Sequence, residues 1–447
     1  MTTSVMRSVR ACLRNAAAAA VVLQFALATI AHGATAPGAI TFVGTDSNIY
    51  YCDAKCSKPK CITCKAAAIH VRRDDAIVPV ADPAPDAGPA AGTEYGLPTF
   101  SPDGKRLAYS SVTQRQAENS FAVWVYDLAR SQTVQIFESR SERILYLDWL
   151  PDAQHLSFLL GEPRGLSLVL AELKESAPVR IVATGMPLYF DWGARPGELA
   201  LHMVALDSDR TEQVSLMSLT PSSQNVVKLL SRGRTPFKTP AWSPDGMHLA
   251  YIANNHAESN LVVADADAGH PRSVVSLPVG ENSFVWAPDS AHIAYSTAIM
   301  PQDPTYHGIK LVDVASANSK WLTHKDAAAF FFAPDSRHLA YIGVPADKPY
   351  YTWSVIDLKT GAEKTLGNFL ATPDESIAYR YFDQLAVSQT IWSPDSSSFI
   401  YAGVRLAGSP EQSLGFTPPP AVYIVPIDGS EPRRISTAVL AFFSPAR

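Results

Sequence analysis

Four cysteines stand close together in the chain, Cys52, Cys56, Cys61 and Cys64. Four thiols in so short a stretch can close two disulfides, in any of three connectivities, or hold a zinc ion as four thiolates. Cys61-Ile-Thr-Cys64-Lys65 can also be read as a haem-attachment variant with Lys where His is usual. In an oxidising compartment an even number of cysteines favours disulfides, so two disulfides are expected, with no metal and no cofactor. A second chemistry-bearing stretch is Ile377-Ala-Tyr379-Arg380-Tyr381-Phe382-Asp383. Tyrosine, phenylalanine and arginine here are the side chains that dominate binding hot spots. The alternative is that these aromatics pack down onto the strands beside them.

Two carboxylates, Asp148 and Asp191, directly precede Trp149 and Trp192. If both lie on neighbouring inner strands at one level, they approach each other and suit a cation or a basic ligand group. The alternative is that each accepts backbone hydrogen bonds. His202 and His307 are the histidines that break the repeat described next, which makes them site candidates. His155, His248, His292 and His338 occupy one equivalent position in that repeat and are expected to be structural.

The elements that must position these residues recur. An aromatic residue is followed by Ser/Ala-Pro-Asp-Gly/Ser and then by an apolar strand containing Ala-Tyr. The phrase reads Phe100-Ser-Pro-Asp103-Gly, Trp242-Ser-Pro-Asp245-Gly, Trp286-Ala-Pro-Asp289-Ser, Phe332-Ala-Pro-Asp335-Ser and Trp392-Ser-Pro-Asp395-Ser. Degenerate copies stand at Trp149 and Trp192, and a last fragment at Phe443. A period near 45 residues with about four short strands per unit is the pattern of a β-propeller. Pro-Asp-Gly and Pro-Asp-Ser are tight-turn sequences, and alternating runs such as Phe121 to Tyr126 read as half-buried strands.

The expectation is therefore an all-β protein, an eight-bladed propeller of four-stranded blades, with seven blades as the alternative. Ala39 to Val43 and Asn48 to Tyr51 look like strands without an inner partner, and Leu440 to Phe443 looks like an inner strand with nothing after it. Joining them makes one composite blade and removes open edges. The propeller is expected over 38–447, with a Pro/Ala-rich linker at 73–97 and a loop insertion at 369–389. Turns inside the phrase fall on one face. Longer connections, the insertion among them, fall on the other, which makes that face the expected working side.

The chain has 447 residues, 37 basic against 42 acidic, and 47% hydrophobic residues. That composition excludes a disordered chain and argues against nucleic acid as a partner. Arg7, Arg10 and Arg14 precede an apolar run from Ala16 to Ala31, then small residues. This reads as a signal peptide over 1–33, too short for a membrane span. Its removal leaves 34 basic against 42 acidic residues, a net charge of −8. No later stretch is long and apolar enough to span a bilayer, so the mature chain is expected to be periplasmic or secreted in a bacterium.

The phrase resembles the TolB-type, WD-like propeller repeat of bacterial envelope proteins, over nearly all of the mature chain. The resemblance implies the propeller fold rather than one activity. TolB itself carries an N-terminal α/β domain and resembles this chain over only six blades. The same repeat occurs in relatives of prolyl oligopeptidase, whose catalytic domain carries a Gly-x-Ser-x-Gly elbow; no such motif stands here. The expected function is a non-catalytic binding scaffold that recognises a protein, a peptide or an envelope component. The alternative is a channel-mouth enzyme such as a metal-dependent polysaccharide lyase or hydrolase, since propeller lyases acting on oligogalacturonate resemble this repeat.

Overall fold

Each Ser-Pro-Asp step folds into the same hydrogen-bonded turn. Ser101, Ser243 and Ser393 donate to the carboxylates of Asp103, Asp245 and Asp395 at 2.6, 2.5 and 2.7 Å. The same hydroxyls accept from the N–H groups of Arg106, His248 and Ser398, which open the next strand. The carboxylate in turn accepts from the N–H two residues on, as Asp335 does from Arg337 at 2.8 Å. The residue after the aspartate sits at positive φ: 65° at Gly104, 70° at Gly246, 55° at Ser336 and 59° at Ser396. That conformation costs a side-chain-bearing residue roughly 1 kcal/mol, which explains glycine or a small residue at this position.

The computed structural model describes residues 38–64, 92–114, 119–173, 178–206, 212–219, 225–233, 238–254, 258–298, 305–385, 388–406 and 418–445. They belong to one compact unit, Ala36–Arg447. The expected signal peptide and its cleavage point lie outside the described residues. The strands flanking each turn pair antiparallel and form sheets that are the blades of a propeller. A regular one runs Thr93–Phe100, Arg106–Gln114, Asn119–Asp127 and Gln132–Ser139. Blades are named below by their motif aromatic.

The degenerate copy at Trp192 forms a sheet of the same kind. The strand Arg180–Trp192 pairs by its first half with Gly165–Glu172, as the outer strand of the Trp149 blade. By its second half it pairs with Glu198–Ala205, as the inner strand of the Trp192 blade. At the ends of the chain, Ile40–Gly44 pairs antiparallel with Arg433–Phe443, placing Ile40 opposite Phe443 and Val43 opposite Leu440. On its other edge it pairs with Ile49–Cys52, which pairs with Lys60–Cys61.

Four of the motif tryptophans join one blade to the one before it. The indole N–H groups of Trp149, Trp286 and Trp392 donate to the carbonyls of Thr99, Ala241 and Phe331 at 3.0, 3.0 and 3.1 Å. In each case the acceptor directly precedes the motif aromatic of the preceding blade. Trp192 reaches the equivalent carbonyl through a hydroxyl: its indole donates to Ser157, and Ser157 donates to the carbonyl of Asp148. Buried N–H groups are rarely left without an acceptor, so at these four positions the tryptophan carries register information that phenylalanine does not; the buried indole N–H of Trp242 makes no such bond.

Two expected segments differ. The linker was placed at 73–97, but Thr93–Phe100 is a full inner strand; the rest of the segment, up to residue 91, lies outside the described residues. The insertion at 369–389 was expected as a loop. Residues up to Ala371 belong to the strand Glu363–Ala371, and two helices follow, α1 (Pro373–Arg380) and α2 (Phe382–Leu385). Thr372 explains the helix: its hydroxyl caps α1 by accepting from the Glu375 N–H at 3.1 Å, Pro373 opens the first turn, and Asp374 favours the positive end of the helix.

Candidate functional site

The inner strand of the Trp392 blade is interrupted. Asn368–Ala371 supply its first part, pairing with Gly403–Leu406, and Trp392 resumes it opposite Phe399. The residues between leave the sheet from its innermost strand and reach the inner strands Arg180–Trp192, Asn282–Trp286 and Ala327–Phe332 of other blades. One side chain replaces a missing strand bond: the Ala402 N–H donates to Glu375 Oε1 at 2.8 Å. Glu375 is 1% exposed, and burial pushes its pKa up to about 8, against the bonds it accepts. The Tyr379 hydroxyl beside it is driven well above its ordinary value by burial and by Glu375.

The helices are anchored across several blades. Phe382 is fully buried and packs edge-on against Tyr306, Phe330 and Phe331. Tyr379 is buried edge-on to Trp353 and Phe369. Gln384 behaves as an added backbone group: its amide donates to the Phe190 carbonyl at 2.7 Å, and its side-chain oxygen accepts from the Phe190 N–H at 3.1 Å and the Thr239 hydroxyl at 3.2 Å. Tyr146 donates to the Gln384 carbonyl at 3.0 Å.

A charged cluster lies beneath α2. The Lys238 ammonium donates to the Tyr306 hydroxyl at 2.7 Å and lies 3.3 Å from Glu281 and 3.7 Å from Asp383. Its side chain is 5% exposed. Burial alone would lower its pKa, but Asp383, Tyr306 and Glu281 outweigh burial and hold it above the ordinary lysine value, so it stays charged. Ser283 donates to Tyr306 at 3.0 Å. Nothing in the sequence around Lys238 marks it, because its partners come from three separate segments.

What α1 leaves outside is one face. Ile377 is 60% exposed, Tyr381 is 39% exposed and Arg380 is exposed. Spacings of three and four residues put them side by side. Tyr381 also lies near Tyr189, with ring centroids 6.5 Å apart.

The candidate residues from the sequence therefore divide. Arg380 and Tyr381 are at the surface, whereas Tyr379 and Phe382 are core residues, because α1 and α2 turn those positions inward. Burial first, then Asp148 and more weakly Asp191, raise the pKa of the buried Tyr146 hydroxyl. Asp191 also accepts from the Trp242 N–H at 2.8 Å. His202 is buried, with Nε2 3.0 Å from Glu212 and Nδ1 2.8 Å from the Lys238 carbonyl, so it props up the segment that carries Lys238. His307 is exposed and 3.0 Å from Asp326. Of the four repeat histidines, His155, His292 and His338 sit 2.6–2.8 Å from the aspartate of their own turn, whereas His248 makes no such bond and lies beside the Trp286 ring, 6.5 Å between centroids. The four cysteines form two disulfides between sequence neighbours, Cys52–Cys56 and Cys61–Cys64. Among the described residues, no three His, Cys, Asp or Glu side chains converge as metal ligands, and no helix is long and apolar enough to cross a membrane.

Comparison with known proteins agrees with this architecture. No family model matches the chain. The Tol-Pal system protein TolB of Haemophilus influenzae is 43% identical over 54 residues, 12% of this chain and 12% of that protein. TolB of Sodalis glossinidius is 45% identical over 47 residues, 10% of this chain and 11% of that protein. The chain thus spans about an eighth of the length of these curated relatives. Among solved structures, a dihydro-heme d1 dehydrogenase superposes with a TM-score of 0.51 at 14% identity, over 92% of this chain and 74% of the other. A prolyl endopeptidase superposes with a TM-score of 0.52 at 12% identity, over 79% of this chain and 50% of the other. At such identities the likeness is one of fold alone. The repeat is that of a TolB-type β-propeller.

Proposed function

We propose that the chain is an exported, non-catalytic scaffold, periplasmic or secreted, that binds a protein, a peptide or a cell-envelope component on the face carrying α1. In this reading the blades number eight and the ring closes through the composite sheet of Ile40–Gly44 and Arg433–Phe443. The short stretch of likeness to TolB and the two disulfides support an exported location.

The observation that carries the proposal is the way Ile377, Arg380 and Tyr381 are held. Ile377 and Arg380 stand on α1 and Tyr381 caps it; the inner face of α1 is locked by Tyr379 and Glu375, and α2 follows at once with the Phe382 and Gln384 anchors. An apolar, a cationic and an aromatic group on a rigid support make a preorganised hot spot. The backbone beneath them is already fixed, so no loop has to be ordered on binding, which favours affinity. The test is crosslinking and capture from envelope extracts with the full mature chain. The double variant Arg380→Ala/Tyr381→Ala should cut capture of the partner at least tenfold with an unchanged melting temperature. Equal capture by the two proteins refutes the proposed surface.

A further inference from the structure

Each blade also turns between its third and fourth strands, and these links can be compared along the chain. In the Phe100, Trp242, Trp286, Phe332 and Trp392 blades they run from Asp127 to Ser131, Asp265 to Pro271, Asp313 to Asn318, Asp357 to Ala362 and Ile427 to Pro432. In each of them acidic residues equal or outnumber lysines and arginines. The link that joins Ile49–Cys52 to Lys60–Cys61 differs. It reads Asp53-Ala-Lys55-Cys-Ser-Lys58-Pro-Lys60, three lysines against one aspartate, in a chain of net charge −5.

The structure fixes these charges in place. The bridge Cys52–Cys56 encloses Lys55, and Cys61–Cys64 begins just past Lys60. Asp53 is committed to the loop itself, its carboxylate accepting from the Cys56 N–H at 2.9 Å. A fourth cation arrives from far along the chain: Arg433 donates to the Ala54 carbonyl at 3.4 Å. On the other side the Lys60 ammonium donates to the hydroxyls of Tyr126 and Ser131 in the Phe100 blade, at 2.8 and 3.0 Å. Lys55, Lys58, Lys60 and Arg433 are all exposed. Among the described residues none of the four pairs with a carboxylate.

We propose that this stapled link, together with Arg433, docks a short acidic segment of a partner protein. Ammonium and guanidinium groups donate and do not accept, so they select anions. Spread along eight residues and a second strand, they match several carboxylates in series better than a single phosphate. An anionic bilayer fits less well, because the surrounding turns carry aspartates. Asp245 and Asp335 donate their N–H groups to Ser290 and Ser396 in the turns of the next blades, both at 3.0 Å, which lines these turns up along one side. A flat bilayer would meet that acidic row as well, whereas a short segment confined to the link meets the cations alone. The two bridges spare the link the cost of ordering on binding. Neither α1 nor α2 contributes a residue, so the proposal does not rest on the surface described above.

The test is fluorescence anisotropy with the full, oxidised mature chain and a labelled decapeptide of alternating Asp and Glu. A Lys decapeptide, inorganic phosphate and phosphatidylglycerol vesicles are the other probes. The acidic peptide should bind, and more weakly as salt rises from about 0.02 to 0.15 M. Lys55→Gln/Lys58→Gln should weaken it about tenfold, as expected for the loss of two solvated pairs, and Arg433→Gln should weaken it too. Neither Lys55 nor Lys58 holds any other element, so the melting temperature should stay that of the parent. Lys320→Gln/Lys359→Gln, which removes two exposed lysines of other blades, should bind the peptide unchanged. The proposal is overturned if the acidic peptide does not bind, if Lys55→Gln/Lys58→Gln binds it like the parent, or if the two lysine pairs matter equally. Binding of vesicles or phosphate in place of the peptide overturns it as well.

Discussion

Glu375 offers a measurable consequence of the interrupted strand. Its carboxyl is sealed against the Ala402 N–H, and burial pushes its pKa from the ordinary 4.5 to about 8. Below pH 4.5 the group is protonated in both the folded and the unfolded chain. Above it the unfolded chain releases the proton while the folded one keeps it, so stability falls as pH rises toward 8. Each pH unit in that window costs about 1.4 kcal/mol. Over the whole window the loss is about 5 kcal/mol, an upper bound if water reaches the site. Glu375→Gln keeps an oxygen for the Ala402 N–H and does not titrate. The variant and parent should melt together near pH 4.5, and the variant should melt higher as pH rises. For a propeller of this size 1 kcal/mol corresponds to roughly 1 °C, so a gap of about 5 °C is expected at pH 8. Other groups titrate in both proteins and cancel in the difference. Parallel melting profiles from pH 4.5 to 8, measured by calorimetry, would show that the carboxyl is not held protonated and that the helix is not sealed as described.

Three further outcomes follow from the same contacts. Lys238→Met leaves Asp383 and Glu281 facing each other without their shared cation and should destabilise by about 3–5 kcal/mol; a melting temperature within 1 °C of the parent, by the same conversion, counts against a buried ion cluster. Trp149→Phe removes the donor to the buried Thr99 carbonyl and leaves part of the indole's space empty, and should cost about 2–4 kcal/mol, seen as a drop of a few degrees in the melting temperature. Reduction of Cys52–Cys56 and Cys61–Cys64 opens two very short loops, each worth about 2 kcal/mol by chain entropy; hydrogen exchange on reduction should rise first in Ile49–Cys52 and Lys60–Cys61, and uniform protection there would contradict their role in that sheet.

Much of the architecture was legible in the residues because the forces behind it are local. The Ser-Pro-Asp turn closes on hydrogen bonds spanning two to five residues, so its recurrence announced each strand pair. Glycine or serine after the aspartate marked the left-handed backbone position. Alternating apolar residues identified strands, and the unmatched strands at the two ends pair as expected, Ile40 opposite Phe443. Two disulfides were expected from the cysteines, but their connectivity was left open, and the structure joins neighbours.

The contents of the centre were not legible. Tyr379 and Phe382 stood as recognition candidates with packing onto the strands as the alternative, and they are core residues of a helical insertion. Composition and periodicity do not tell an exposed helix face from a buried one when the insertion is this short. Lys238, Glu281, Tyr306 and Asp383 carry no motif at all. Gln384 bonds to Phe190 across 194 positions, and Tyr146 to Ser388 across 242. Such pairings exist only once the sheets bring distant inner strands around a common space, so residue order sets the strands and turns, while the assembled sheets decide which side chains meet between them.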